Sequence, residues 1–546
     1  MLESLLLIGS NNTNNIIDQM IKPLSRKNGK KENVMMKIIF DTDEKKVYFD
    51  YIKLDEQIAR EYRWIGRTFS AAREPVARLT LDDIKYLYNE EKNREKSVVN
   101  NIRELIKDIL HKSEGLMELD RLLEQIEQFD LGDVMSKVKN EVESKKKDFN
   151  VGLFTISIKK NGNTIDLAKE KFYDEFLSLY MRYPNPLIDG VCHLCGKEKV
   201  LVDPAFESGS MLKIYNKDKK GFISGISGKE EDMKRTFAIC PDCRLQLIAG
   251  EKYIARHLNF PLGNVINVFA IPRIGKRHEQ PLLDRLASAV KAVTVYEGLE
   301  ELDKFGKDIE ELYEQWYAFT IIFGTKNQAS FKLDYFLQEV PITNLRRIRD
   351  TVRDVMNEAS RFWNTEERIW DLTISGVARF YPLRRRGDDF ERRPLIELVS
   401  SILKLEEYDQ SMLLEVGRLL AKIHRYELYS LYSIEQPSDS DIEMSYTIIK
   451  FNYLLLLLRR LGMLKSMTME KNYDLQIPDE RISAWVKTMN YDILQTGLFI
   501  LGYLIAQVGN EQYKRNDKKK SILDKLDFKG MKREKIITLI NEMPHH

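Results

Sequence analysis

Cysteine is scarce in this sequence, and its placement excludes a disulfide framework. The chain has 546 residues and 4 cysteines, and all of them fall in two Cys-x-x-Cys pairs. Secreted domains that depend on disulfides are far denser in cysteine. The pattern therefore indicates a reducing compartment, and we expect a cytoplasmic protein.

Long apolar runs and catalytic signatures are also lacking. The most apolar stretches, 454–458 and 497–508, are shorter than the roughly 20 residues of a spanning helix, so we expect two buried helices and no membrane partner. The first ten residues lack the cationic start of an export signal. No Gly-x-x-x-x-Gly-Lys-Ser/Thr motif and no His-x-Glu is present, which argues against a phosphate-cradling loop and a zinc deaminase.

A surplus of one charge is missing too. Lysine and arginine number 86 against 84 aspartates and glutamates, which gives a formal net charge of +2. About 43% of the residues are hydrophobic, as in an ordinary globular protein. Bulk charge therefore predicts no nucleic-acid partner, and any anionic partner has to be held by local basic patches.

The two cysteine pairs predict a metal site formed by Cys192, Cys195, Cys240 and Cys243. Two intervening residues let both thiolates of a pair face one ion, and two pairs complete a tetrahedral four-sulfur zinc site. Gly196 suits the positive-φ turn of the first pair, and Pro241 stiffens the second. Four thiolates leave no position for water, so we expect structural zinc. The alternatives are inert buried thiols and a redox pair.

Hydrophobic periodicity predicts an α+β fold with an N-terminal mixed α/β region, an inserted zinc module and a C-terminal all-helical bundle. Strand-like segments are 34–40, 47–54, 152–159, 212–215, 265–274, 317–323 and 330–337. Helical segments are 1–24 with an interruption, 81–142 as an antiparallel pair, 170–183, 282–303 and nearly all residues from 345. The expected domains are an α/β domain (1–185), the zinc module (186–250), a continuation of the α/β domain (251–344), a helical region (345–440) and a C-terminal helical domain (441–546).

Four groups of basic residues are candidate nucleic-acid contacts. They lie in a loop expected within 62–80, in the loop between the cysteine pairs, and in two clusters of the helical region. For each group the alternative is an ordinary solvated surface. The candidates are Arg63, Arg67, Arg73, Arg78, Lys217, Lys219, Lys220, Arg346, Arg347, Arg384, Arg385 and Arg386.

One short motif invites an enzymatic alternative. Gly387-Asp388-Asp389 is similar to the metal-binding turn of palm polymerases and cyclases. That turn needs an apolar strand on each side, whereas arginines flank this one. We therefore expect a protein that is not an enzyme, and nucleotidyl transfer through Asp388 and Asp389 remains the alternative. A zinc-stabilised scaffold without nucleic-acid contact is a further alternative.

Several separated motifs, in order, resemble the large subunit of type I-B CRISPR surveillance complexes (Cascade). They are Trp64-Ile65-Gly66, Cys192-x-x-Cys195-Gly196, the stretch 213–222, Phe237-Ala238-Ile239-Cys240, Phe331-Lys332-Leu333, Gly502-Tyr503-Leu504 and Phe528-Lys529-Gly530-Met531. The stretch around the cysteines is the most specific of these.

The resemblance implies a non-catalytic subunit that helps to recognise the protospacer-adjacent motif, binds target double-stranded DNA, supports R-loop formation and recruits the helicase-nuclease in antiviral defence. It also implies guide RNA and the backbone and small Cascade subunits as partners, and a C-terminal domain similar to the small subunit. Since guide pairing reads the target sequence, such a protein needs cationic loops and no hydrolytic centre.

Overall fold

The structure of the chain is a computed structural model. It describes residues 1–12, 17–18, 21, 24, 32–65, 78–91, 94–108, 113–182, 187–201, 204–206, 209–216, 234–273, 280–305, 317–327, 330–464, 477, 479–515, 522, 525–527 and 530–542. The chain forms two compact units. The first contains Met1–His257, Arg273–Gln280 and Thr325–Leu333, and the second contains Leu258–Pro272, Pro281–Gly324 and Asp334–His546.

The first unit is built on a five-stranded mixed sheet. Its strands are β1 (Asn33–Asp41), β2 (Lys46–Lys53), β3 (Thr80–Leu81), β6 (Asn150–Lys160) and β7 (Asn163–Asp166), and two hairpins outside it are β4 (Tyr88–Glu91) with β5 (Arg94–Ser97) and β8 (Leu187–Val191) with β9 (Glu198–Leu201). The sheet order is β2-β1-β6-β3, with β7 paired to β6. Strand β1 runs antiparallel to β2 and parallel to β6, which confirms the expected hairpin at 34–54.

Helices accompany this sheet, and their count differs from the prediction for 81–142. They are α1 (Leu2–Asn12), α2 (Glu56–Glu61), α3 (Val98–Asp108), α4 (Glu114–Glu127), α5 (Leu131–Lys145), α6 (Lys171–Arg182) and α7 (Pro241–His257). The expected helix pair is therefore three helices preceded by the β4–β5 hairpin. Gly115 lies in the first turn of α4, whose N-cap is Ser113, so this glycine does not mark the turn between helices.

Two glycines allow the backbones of α1 and α7 to come into direct contact where the helices cross. A Cβ atom on Gly9 would lie 1.8 Å from the carbonyl oxygen of Gln246, and one on Gly250 would lie 2.1 Å from that of Leu5. No side chain fits in such a crossing. Because α7 also carries Cys243, the N-terminal helix and the cysteine site share one rigid support.

The second unit contains a large helical region and most of a four-stranded sheet. Its strands are β10 (Asn259–Leu262), β11 (Ile266–Arg273), β12 (Ala318–Asn327) and β13 (Ser330–Pro341), in that spatial order, and a hairpin of β14 (Arg385–Arg386) and β15 (Asp389–Phe390). Its helices are α8 (Gln280–Thr294), α9 (Tyr296–Phe305), α10 (Ile342–Trp363), α11 (Ile374–Phe380), α12 (Arg393–Lys404), α13 (Gln410–Arg425), α14 (Ser440–Arg460), α15 (Glu480–Met489), α16 (Ile493–Arg515) and α17 (Arg533–Glu542).

Aromatic side chains form the centre of the helical region. Trp485 packs against Trp363 and Tyr453 with ring centroids 5.7 and 5.5 Å apart. Trp370 packs on Tyr453 at 5.7 Å. These contacts fix α10, α14 and α15 to one another. Together with the two sheets they confirm the α+β class and the helical C-terminal part.

The two most apolar stretches differ in how deeply they are buried. The run 454–458 is buried within α14, as expected. The run 497–508 is helical, but Leu498 is 46% exposed and Leu504 is 44% exposed, so the prediction of a buried helix is wrong there. By length and composition alone, Ile493–Lys514 is able to span a membrane, and 17% of its most apolar window is buried.

The predicted five-part division stays a prediction. The sheet of β10 to β13 lies mainly in the same compact unit as the C-terminal helices, whereas the cysteine pairs lie in the first unit. The predicted strand at 212–215 is wrong, because Met211–Tyr215 forms a 3-10 helix whose N-cap is Ser210.

Candidate metal centre and basic surfaces

The first cysteine pair lies in the turn of the β8–β9 hairpin. The amide of Gly196 donates to the carbonyl of Cys192 at 2.9 Å, and the amide of Cys192 donates to that of Lys197 at 2.8 Å. Gly196 has a φ of +74°, which confirms the left-handed turn expected at this position. The turn therefore points both thiols of the pair to one side.

The second pair lies at the start of α7. Pro241 is the first residue of this helix, where its missing amide hydrogen has no intrahelical partner to lose. Cys240 precedes the helix and Cys243 lies in its first turn. A bridge between Leu201 and Ile239 connects this segment to β9, and the amide of Leu201 donates to Ile239 at 3.0 Å. The amide of Cys243, at the helix N-terminus, favours the thiolate form of Cys240.

The four sulfur atoms form a cluster that fits a metal ion. Those of Cys192, Cys195, Cys240 and Cys243 all lie within 4.8 Å of one another, and Cys195 and Cys240 are 3.5 Å apart. Zinc–sulfur bonds of about 2.3 Å place tetrahedral sulfur neighbours about 3.8 Å apart. The predicted cysteines are thus brought together as a four-thiol site, a donor set that suits zinc or iron.

Electrostatics at the site favour a sulfur anion at Cys240, whereas the hydrogen bond to Cys240 raises the pKa of Cys243 and burial raises the pKa of Cys195. A hydrogen bond from the thiol of Cys243 lowers the pKa of Cys240 to about 5, and the amide of Cys243 lies 3.5 Å from the same sulfur. Around the cluster, Asp242 forms ion pairs with Arg182 at 3.2 Å and Lys197 at 3.3 Å. Asp242 and then Cys240 raise the pKa of Lys197, so this ammonium group stays charged beside the thiolates.

Two residues of α7 that sequence reasoning missed hold the segment between the cysteine pairs. Glu251 accepts hydrogen bonds from the hydroxyl of Ser210 and the amide of Met211, both at 2.6 Å. The guanidinium of Arg244 donates to the carbonyls of Pro204 and Ala205. Both residues are buried on a helix of mostly apolar character. The signal in the sequence that could have identified them is a charged residue within an otherwise apolar pattern.

Of the predicted basic residues in 62–80, two support the fold. Arg63 forms a two-pronged ion pair with Asp174, with nitrogen–oxygen distances of 2.6 and 2.8 Å. This interaction raises the pKa of Arg63. Arg78 is 2% exposed and its guanidinium lies 5.3 Å from the ring centroid of Tyr86. Neither guanidinium faces solvent freely.

The other predicted contacts in these loops lie outside the described residues. They are Arg67, Arg73, Lys217, Lys219 and Lys220. Their contribution to binding stays a prediction.

The first arginine cluster of the helical region lies on α10. Arg347 donates to the carbonyl of Leu461 at 3.0 Å and so satisfies the C-terminal end of α14. Arg346 lies 3.8 Å from Asp350, one helical turn away. Arg347 thus has a structural role, and Arg346 is exposed beside a carboxylate.

The second cluster forms the exposed hairpin of β14 and β15. Arg384, Arg385 and Arg386 are exposed on it, and Arg386 pairs with Glu391 at 3.2 Å. Asp388 and Asp389 lie at its turn, and Asp389 pairs with Arg392. Each strand is only two residues long and solvent-facing, unlike the long apolar strands around a polymerase metal site.

Comparison with known families assigns much of the chain. Residues 372–546 match the C-terminal domain of the CRISPR-associated protein TM1802 family, and residues 189–340 match its central domain. The second match includes all four cysteines, and the first includes the β14–β15 hairpin. No curated protein matches the chain. The chain is therefore a CRISPR-associated protein that contains the central and C-terminal domains of the TM1802 family.

Proposed function

We propose that the protein is the non-catalytic large subunit of a type I-B CRISPR surveillance complex. The observation that supports this most strongly is the match of two consecutive regions to the TM1802 family. Members of a CRISPR-associated family act with nucleic acid and other CRISPR-associated proteins. In this proposal the subunit helps to recognise the protospacer-adjacent motif, binds target DNA as the R-loop forms and recruits the helicase-nuclease, in the cytoplasm.

The cysteine site has a structural role in this proposal, and zinc is its ion. Zinc would be held by Cys192, Cys195, Cys240 and Cys243, and it supplies no reactive water when four thiolates surround it. The site joins the β8–β9 hairpin to α7, whose Arg244 and Glu251 hold the inserted segment. The metal would thus stabilise the base of a segment whose lysines are candidate phosphate contacts.

The proposal is tested by co-expression of the tagged chain with the proteins encoded beside it and a repeat–spacer array. We expect a stable complex that carries guide RNA of uniform length and binds a duplex containing the spacer sequence. Complexes assembled without the chain serve as the control. Recovery of the chain free of RNA and of the other subunits would contradict the proposal.

Metal content is measured on the same preparation. We expect one zinc ion per chain and no iron, and loss of the ion on replacement of Cys240 by serine. A stoichiometric iron content would refute zinc while leaving the four-thiol site intact.

A further inference from the structure

The hairpin of β14 and β15 is held rigidly at its base. The amide of Glu391 donates to the carbonyl of Arg384 at 2.9 Å, and a bridge joins Arg384 to Tyr432. The amide of Ser433 donates to the carbonyl of buried Leu383 at 2.9 Å. Three backbone segments therefore support a projection whose six residues 384–389 are all exposed.

The two faces of this hairpin differ in charge. Side chains alternate along a strand, so Arg384 and Arg386 share one face with Asp389 and Glu391. On that face Arg386 pairs with Glu391, and Asp389 pairs with Arg392, which also donates to the carbonyl of Val265 at 3.1 Å. Carboxylates thus balance most of the positive charge there.

Arg385 and Phe390 form the opposite face. The two residues are directly paired across the strands, and the guanidinium carbon of Arg385 lies 5.3 Å from the ring centroid of Phe390. Among the described residues, no carboxylate pairs with Arg385. The ring restricts the guanidinium through a cation–π contact, which does not need its hydrogen-bond donors.

This arrangement suits a phosphate group. A guanidinium offers two parallel N–H donors that match two phosphate oxygens, and a side chain already held against a ring loses less conformational freedom on binding than a free one. Arg63, Arg78 and Arg347, by contrast, are engaged within the fold. Of the predicted arginines that the structure describes, Arg385 is the one held in place with its donors available.

We propose that the β14–β15 hairpin is an arm that contacts the phosphate backbone of a nucleic acid, with Arg385, held over the ring of Phe390, as its principal contact. This inference rests on the proposed function, because it assumes that the protein binds nucleic acid. Contacts of this kind position a duplex without reading its sequence.

The test compares variants that remove the same charge from neighbouring positions. Arg385→Ala removes the proposed contact. Arg393→Ala is the matched control, since Arg393 is 87% exposed, lies a few residues away and pairs with Glu397. Phe390→Leu keeps the charge and removes the ring. Affinity of the full chain, within its complex, for a duplex DNA probe is measured from 50 to 200 mM salt.

Affinity falls as salt concentration rises, and one phosphate contact steepens the slope of log affinity against log salt concentration by about 0.9. Relative to 1 M salt, that contact contributes about eightfold to the affinity at 0.1 M salt. We expect Arg385→Ala to show both changes on every duplex sequence, and Arg393→Ala to show less than a twofold change. Phe390→Leu should weaken binding about two- to fivefold with an unchanged slope, the usual range of a lost cation–π contact.

The outcomes separate this inference from the proposed function. If the wild-type complex binds no nucleic acid at any salt concentration, the proposed function fails. If the wild type binds with a steep salt slope and Arg385→Ala behaves like Arg393→Ala, only the arm is refuted. A loss of affinity without a change of slope on Arg385→Ala would also overturn the phosphate contact.

Discussion

The close crossing of α1 and α7 predicts that replacement of Gly250 by alanine destabilises the protein. In Gly250→Ala the new Cβ would lie 2.1 Å from the carbonyl oxygen of Leu5, and backbone atoms surround it, so the helices must separate by about 1 Å. Overpacking of this kind costs about 1–3 kcal/mol, and alanine returns about 1 kcal/mol of helix propensity. Because rigid backbone rather than a flexible side chain is in the way, we expect a cost at the upper end of this range and hence a net loss of about 2 kcal/mol.

Gly502→Ala is the matched control for this prediction. Gly502 also lies within a helix, α16, but no atom lies within 4 Å of the position that an added Cβ would occupy. The same chemical change there should stabilise the protein by up to about 1 kcal/mol. Opposite signs for the two variants would show that close approach, not glycine content, decides the outcome.

Urea unfolding alone is ambiguous for a chain of two compact units, because each can unfold separately. Hydrogen exchange in α1 and α7, followed by mass spectrometry, reports on the crossing itself. Gly250→Ala should accelerate exchange in both helices and leave α16 unchanged. Wild-type exchange rates in Gly250→Ala would refute the close packing of these helices.

Three further predictions test single interactions. Glu251→Ala should leave the Ser210 hydroxyl and the Met211 amide without their acceptor and increase proteolysis between the cysteine pairs, whereas Lys252→Ala should not; equal cleavage would contradict this. Arg63→Ala should lower the thermal midpoint of the first unit through loss of the Asp174 pair while duplex affinity is kept, and a selective loss of affinity would count against a structural role. Burial lowers the pKa of His424, so the unfolded chain takes up the proton more readily and stability should fall as pH drops below about 6.5. In His424→Phe, unfolding midpoints measured from pH 7.5 to 5 should depend less on pH. An unchanged pH dependence would assign the effect to another group.

The metal site is the part of the molecule that sequence determines most directly. The Cys-x-x-Cys spacing is a local property of a turn, so Cys192 and Cys195 point to one side whatever the rest of the fold does. The partner pair then follows from the requirement of four ligands. Glu251 and Arg244 were not predictable in the same way, since their partners lie 39 to 41 residues away in the chain.

For the arginine-rich stretches, by contrast, the sequence does not show which side chains are available to a ligand. In sequence, Arg347 and Arg385 are equivalent members of charged clusters. In the structure Arg347 binds the carbonyl of Leu461, 114 residues away, while Arg385 lies on an exposed hairpin against Phe390. Which cations are available to a ligand depends on tertiary contacts that no local pattern contains.

The helical predictions were similarly limited by packing. The apolar stretch 497–508 correctly indicated a helix. Apolar composition does not show, however, what fraction of a helix is buried by the rest of the chain. The hairpin of β4 and β5 was missed because its residues, from Tyr88 to Ser97, are mostly charged and polar. Its sequence therefore lacks the alternating apolar residues that predict a strand.

The most direct test of the proposed function is the affinity of the guide-loaded complex for a matched duplex, measured with and without this chain. We predict that omission of the chain weakens binding at least tenfold when the protospacer-adjacent motif is present and has little effect when the motif is mutated. Equal affinity of the two complexes for the motif-containing duplex would contradict the assignment of this protein as the DNA-recognising subunit.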